Sequence, residues 1–350
     1  MSRVAPKHPP GVVTLATRPV ARSALRLTEL SLGGAQLGNL YRAITDEQAR
    51  ATVDTAWERG IRYFDTAPHY GLGLSERRLG AALARRPRSE YVLSTKVGRR
   101  LEPLSPEGQL DDGGFDVPAT HRRVWDFSRD GVLRSLEESL QRLGVDAVDI
   151  VYLHDPDEHR REVLETAYPA LEELREQGVV RAIGAGMNQT AMLAHFARHT
   201  DMDVLMLAGR YTLLEQSALE DLLPACEQRG ISIVAAGVFN SGLLARRAPA
   251  DGSKYDYDDA PQTLVLRARR MAEICERHGT SLPAAALAFP LAHPAVVSVC
   301  VGARSPEQIE RNIDLHRSAV PAAVWSELKA QGLLRSDAPV PAGDGNGEQP

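Results

Sequence analysis

Short apolar runs alternate with longer amphipathic stretches from about residue 25 to residue 317. The short runs, 29–34 (ELSLGG), 61–65 (IRYFD), 91–96 (YVLSTK), 148–154 (VDIVYLH), 179–186 (VVRAIGAG), 204–209 (VLMLAG), 231–237 (ISIVAAG) and 296–303 (VVSVCVGA), predict buried strands. Between them, apolar positions recur three or four residues apart, which gives a helix one buried face. That spacing predicts helices over 45–60, 75–86, 130–144, 162–178, 190–199, 218–230, 262–279 and 305–317. Local signals agree with the pattern. Thr45 and Gln48 make a capping-box start, Ser75 stands as an N-cap, and Gly60 and Gly144 stop helices.

Strands that alternate with helices imply a parallel sheet. Eight such units in about 290 residues fit a (β/α)8 TIM barrel in number and size. A doubly wound sheet is the alternative, but it usually has fewer strands and a Gly-x-Gly-x-x-Gly turn after its first. Gly33, Ala35 and Gly38 are only a near miss to that turn. The expectation is therefore one barrel domain over residues 23–335, between flexible segments at 1–22 and 336–350 that are rich in Pro, Gly and charge. Two long connections, 99–127 and 238–261, should lie on the C-terminal face, where barrels build their sites.

Composition narrows the function classes. The net charge of −5 over 350 residues gives no large basic excess for nucleic acid or an anionic membrane. The stretch 282–302 is apolar enough to suggest a membrane span, but Pro283, Pro290, His293 and Pro294 favour a helix followed by a buried strand. Cys226, Cys275 and Cys300 lack CxxC spacing, so neither a disulfide framework nor a metal site is expected. The N-terminus has no apolar core of signal-peptide length, and the expected location is cytoplasmic. Nothing in the composition sets an oligomeric state.

Candidate chemistry sits at the predicted strand ends. The second strand ends at Asp65 with Tyr70 just beyond, the third at Lys96 and the fourth at His154. Alone, such an Asp or Lys is ordinarily a solvated charge and such a His a structural residue. In a barrel, however, neighbouring strand ends converge on one face. A tyrosine titrates near 10, too high for efficient proton exchange at neutral pH, and an adjacent ammonium lowers that value. A carboxylate keeps the ammonium charged, and an imidazole can position a substrate oxygen. The set makes a proton-transfer catalyst that becomes a reductase or dehydrogenase when paired with a hydride carrier.

At these residues, FDTAPHYG (64–71), STK (94–96) and YLHDP (152–156), the sequence resembles the aldo-keto reductase superfamily over roughly residues 25–320. The resemblance implies a barrel with NAD or NADP at its mouth. It also implies Tyr70 as proton donor or acceptor, Lys96 and Asp65 as its electrostatic support, and His154 as orienter of the substrate oxygen. GAGMN resembles the segment whose asparagine, here Asn188, holds the nicotinamide carboxamide. VFNSGLL resembles the loop along the pyrophosphate, with Phe239, Asn240, Ser241, Gly242 and Leu243. VGARSPEQIERN resembles the adenosine end, with Gly302, Arg304, Ser305, Gln308 and Asn312. There are departures: Ala208 stands where a glutamine is expected, Met187 where a serine is, and Ala236 or Gly237 where an aromatic is.

With APHYGLGLSERRLG and AGRYTLLEQ, these departures resemble the subgroup that acts on D-threo-aldoses. That implies oxidation of the C1 hydroxyl of L-fucose-like sugars to the lactone. A pyridoxal-oxidising enzyme or another aldehyde or ketone reductase is the alternative, and a redox-sensing barrel subunit is a third. Four residues before Asn312 the family often places a cation that meets the 2′-phosphate of NADP. Gln308 is neutral, so NAD is expected to be preferred, although Arg304 and Arg311 are near in sequence.

Overall fold

The computed structural model describes residues 14–105, 108–256 and 258–342. Its chain begins with a hairpin of β1 (Thr17–Pro19) and β2 (Arg26–Thr28). The barrel strands begin with β3 (Leu30–Gly33), β4 (Tyr63–Asp65) and β5 (Val92–Val97). A second hairpin follows, β6 (Arg99–Pro103) with β7 (His121–Trp125). Then come β8 (Ile150–His154), β9 (Ala182–Met187), β10 (Val204–Ala208) and β11 (Ser232–Ala236). After a third small hairpin, β12 (Lys254–Tyr255) with β13 (Asp258–Asp259), β14 (Val296–Gly302) completes the set. Eight of these close in the order β3-β4-β5-β8-β9-β10-β11-β14, with β14 paired back to β3. Every barrel pairing is parallel, as the alternating pattern requires.

The helices pack their apolar faces on the barrel. α1 (Asp46–Glu58) starts as the capping signature predicts, with the Thr45 side chain accepting from Gln48 N. α2 (Leu74–Leu83) differs from expectation, because its N-cap is Gly73 and Ser75 lies inside the first turn. The Ser75 hydroxyl donates to Gly34 O at 2.7 Å and lies 2.8 Å from Thr66 Oγ1, so it ties two strand ends together instead of capping. α3 (Arg129–Leu143) ends at Gly144, whose φ of +65° suits glycine. α4 (Arg160–Glu162) passes through a π turn (Val163–Ala167) into α5 (Tyr168–Glu176). Pro169, which has no N–H to donate, sits just past that turn. α6 (Thr190–His199), α7 (Leu222–Arg229), α8 (Gln262–Arg277) and α9 (Leu282–Ala288) follow. α10 (Pro306–Arg317) and α11 (Ala322–Ala330) end the series.

Two cores result. The outer one lies between the strands and the helices. The inner one fills the barrel and includes Tyr63, Tyr152, Val204 and Val234, closed from below by Val20, Leu25 and Leu27 of the first hairpin. Residues 14–22, expected to be flexible, are therefore ordered in part, because Val20 fills the barrel floor. At the other end, Ala338 is buried although 336–350 were expected to be a flexible tail. The rest of these two expected segments, 1–13 and 343–350, lies outside the described residues. α9 and β14 divide the apolar stretch 282–302 as expected, and among the described residues no helix is long and apolar enough to cross a membrane.

Candidate active site

Parallel register sets the first relationships. Asp65 is level with Gly33 and Ser94 on its neighbours, Lys96 with Tyr152, and His154 with Gly186. Because side chains alternate along a strand, Tyr63 and Asp65, Ser94 and Lys96, and Tyr152 and His154 fall on one face of their strands. Lys96 Nζ donates to Asp65 Oδ2 at 2.6 Å and to Thr66 O at 3.0 Å. Ser94 Oγ donates to the other carboxylate oxygen at 2.7 Å. Beneath it, the Tyr63 hydroxyl lies 3.1 Å from Ser94 Oγ and 3.0 Å from the Tyr152 hydroxyl. Asp65 and Lys96 are each 2% exposed, so the pair has no water to lean on. Burial alone would depress the ammonium. The charge of Asp65, with further help from Tyr70, outweighs it and holds Lys96 above the usual lysine range.

Tyr70 is delivered by a loop that two glycines lock in place. A Cβ on Gly71, whose φ is +62°, would drive into the Gly38 carbonyl, and one on Gly38 would come within 2.6 Å of the Tyr70 carbonyl carbon. The near-miss glycine pattern of the sequence thus serves close backbone packing beside Tyr70. The Tyr70 ring centroid lies 4.9 Å from Lys96 Nζ and 5.8 Å from the His154 ring. Burial first, then the charges of Arg99 and Lys96, push the His154 imidazole far below its usual value, so it is neutral. The structure therefore brings together Asp65, Tyr70, Lys96 and His154.

It also adds residues that sequence reasoning missed. His69 lies 5.4 Å from His154 and 6.0 Å from Tyr70 between ring centroids. Burial, then Arg99, Arg123 and Lys96, depress it to about 2. Phe115 covers this corner at 5.2 Å from His69 and 6.1 Å from Tyr70. The β6–β7 hairpin supports it. Arg123 pairs with Asp111 at 2.6 Å and donates to His69 O at 3.1 Å. Arg99 lies over Trp125 at 4.4 Å and pairs with Asp155 at 2.5 Å. RRLEP and HRRVW carry no apolar alternation, so the length of the 99–127 connection was the only signal.

A cleft of about 800 Å³ crosses the barrel mouth from His69, Tyr70 and His154 to Arg304, Gln308 and Asn312. Asn188, Phe239, Asn240, Ser241, Gly242 and Gly302 line it between, as do Met187, Ala208, Ala236 and Gly237. Leu243 does not, because it is fully buried in the outer core. Ser305 stands off the wall at the N-cap of α10. Asn240, at φ +45°, donates from Nδ2 to Gly209 O at 3.2 Å, while its Oδ1 is buried without a hydrogen-bond partner. Gln308 Oε1 accepts from Arg304 N at 3.0 Å, and Arg311 donates to Ala245 O at 2.6 Å.

Residues 29–331 match the aldo/keto reductase family. The chain belongs to that family. It is 48% identical to a D-threo-aldose 1-dehydrogenase from a Pseudomonas species, over 91% of this chain and 98% of that one. It is 40% identical to a pyridoxal 4-dehydrogenase from Microbacterium luteolum, over 91% and 97%. The holo form of an aldo-keto reductase from Bacillus halodurans has the same fold, with a TM-score of 0.74 at 27% identity over 92% of this chain and 97% of that one. The aldo-keto reductase described here is thus an oxidoreductase that works with a nicotinamide cofactor. The cleft fits such a dinucleotide in its polarity. Arg304 offers a cationic group at one end, just before α10, which suits phosphate. The unpaired Asn240 Oδ1 and the Asn188 amide stand between, and Tyr70, Lys96 and His154 lie at the other end.

Proposed function

We propose that this aldo-keto reductase oxidises the anomeric hydroxyl of L-fucose-like D-threo-aldoses to the lactone, in the cytoplasm and with NAD preferred over NADP. The observation that carries the chemistry is the buried Lys96–Asp65 pair beneath the Tyr70 ring, with neutral His154 beside it. In oxidation, Tyr70 as phenolate takes the hydroxyl proton. The Lys96 ammonium stabilises the phenolate charge, and Asp65 keeps that ammonium charged and aimed. His154, being neutral, donates one hydrogen bond to the reacting oxygen without adding a cation. Nicotinamide, when bound, supplies the acceptor for the hydride that leaves C1. In the reverse sense Tyr70 returns its proton to a carbonyl oxygen. Asn188 would hold the carboxamide, Phe239, Asn240, Ser241 and Gly242 would follow the pyrophosphate, and Gly302, Arg304, Gln308 and Asn312 would meet the adenosine end.

The sugar assignment is supported by the 48% identity to the D-threo-aldose enzyme. The 40% identity to a pyridoxal dehydrogenase makes pyridoxal the competing substrate. A panel of aldoses and pyridoxal with both cofactors, followed by nicotinamide absorbance, decides between them. Aldose turnover well above pyridoxal turnover is the expected result. Turnover of pyridoxal alone would replace the sugar reading.

A further inference from the structure

The corner of the cleft beside Tyr70 carries polar groups that proton transfer does not use. Asp155 follows His154 with φ at +42°, a left-handed conformation that costs most side chains about 1–2 kcal/mol and that Asp and Asn tolerate best. Its N–H donates to Gly186 O at 2.9 Å, which fixes this turn against the next strand. Its Oδ2 meets Arg99 at 2.5 Å, while Oδ1 has no hydrogen bond among the described residues. His154 Nε2 stands 3.7 Å from Oδ2, too far for a direct hydrogen bond, so both face the same corner of the cleft without being tied to each other. The His69 side chain makes no hydrogen bond among the described residues, and its Nδ1 and the Nε of Arg99 are buried without partners. Phe115, 4% exposed, lines the same corner.

A carboxylate acceptor, a guanidinium and a neutral imidazole in one corner that Phe115 also lines match a compact polyol, which has hydroxyl edges and an apolar C–H face. Simple aldehydes have nothing to offer these groups. We propose that Asp155, Arg99 and His69, against Phe115, form a subsite for substrate hydroxyls next to the reacting carbon, with Asp155 the main determinant of selectivity for polyhydroxylated substrates. This rests on the sugar reading for its physiological substrate, but the chemistry of the subsite can be tested apart from it. A site built to hydrogen-bond a hydroxyl discriminates strongly against an analogue lacking it, because its own polar groups are then left unpaired.

The test uses a matched pair, glyceraldehyde and propanal, reduced with saturating cofactor by the wild type and by Asp155→Asn. The variant keeps the shape and tolerates the backbone conformation. Any general effect on His154 or folding acts on both substrates and cancels in the ratio of their kcat/KM values. The glyceraldehyde-to-propanal ratio should fall roughly 10- to 100-fold, the size expected for a hydrogen bond to a charged group. Most of the change should lie in the KM for glyceraldehyde. His69→Asn should move the ratio the same way by less. An unchanged ratio in Asp155→Asn overturns the subsite. A wild type that ignores every aldose overturns the sugar reading instead, and the ratio still decides the subsite.

Discussion

The two halves of the barrel mouth are built differently. At the ends of β4, β5 and β8, polar groups are buried and bound to one another, from Lys96 through Asp65 and Ser94 to Tyr63 and Tyr152. At the ends of β9, β10 and β11, Gly186, Ala208, Gly209, Ala236 and Gly237 leave the wall open, and the polar side chains Asn188, Asn240, Arg304, Gln308 and Asn312 stand beyond the strand ends. Proton transfer gains from electrostatics fixed in advance, in a site shut off from water. A dinucleotide brings its own donors and acceptors and needs room more than contacts. Substitutions in the first half should therefore strike kcat, and those in the second should strike cofactor binding.

Tyr70→Phe makes the largest break. On the proposed mechanism it removes the proton-transfer group and nothing from the cofactor wall. Turnover should fall 10²- to 10⁴-fold, with cofactor affinity by fluorescence titration nearly intact. Retention of most of the rate would remove Tyr70 from the mechanism. Lys96→Met comes next, because it leaves Asp65 as a buried, unpaired charge. Breaking a buried pair typically costs about 3–5 kcal/mol, so thermal unfolding should shift down markedly. Adding Asp65→Asn should recover much of that stability without recovering activity. If the double variant regained activity, the pair would be a packing device and not the support of a phenolate.

The division also explains what the sequence disclosed. The meeting of Asp65, Lys96 and His154 is legible because they are chemically odd endings for apolar strands. The barrel is legible because its strands and helices differ in period. The covering corner is not, because Arg99 and Arg123 lie on strongly charged hairpin strands held by ion pairs, and the small apolar cluster of Leu72, Leu101, Phe115 and Val117 is too scattered in sequence to show a period. His69 looks in sequence like an ordinary loop histidine, and only the fold sets its ring against Tyr70 and Phe115. Ser75 misled because a serine before an amphipathic run suits an N-cap, whereas tertiary packing uses its hydroxyl elsewhere. On the other side of the cleft, Asn188, Gln308 and Asn312 were singled out through resemblance, since isolated amides carry no pattern of their own.

Acid should expose the same contrast at lower cost. His69 and His154 are depressed in the folded protein, whereas an unfolded chain titrates near 6.5. Below about 6.5 the unfolded state binds protons that the folded state refuses, so stability falls as pH drops, by about 1.4 kcal/mol per unit for each such group. For His69 the loss continues toward a folded value of about 2. Lys96 has the opposite sign, because its raised value gives stability that is full below the unfolded value of about 10.4 and lost only as pH rises through the folded one. Urea midpoints between pH 7.5 and 5 should slope less steeply in His69→Asn than in the wild type. Equal slopes would show that His69 titrates normally.

The smallest effect belongs to the cofactor half and concerns the 2′-phosphate. Gln308 is neutral, and its side chain is turned back to accept from Arg304 N. It can bond a ribose hydroxyl but cannot offset a phosphate charge, and charge-assisted bonds are roughly twice as strong as neutral ones. Arg311 is engaged with Ala245 O. Arg304 has no ion pair among the described residues and feels the like charge of Arg42, so it is the one group here that works against the preference. The expected outcome is a kcat/KM for NAD higher than for NADP by roughly tenfold, the low end of what one charged contact is worth. Steady-state kinetics with both cofactors at saturating substrate measure it. A higher value for NADP would reverse the assignment and point to Arg304, and Arg304→Ala should then weaken NADP use while leaving NAD use nearly unchanged.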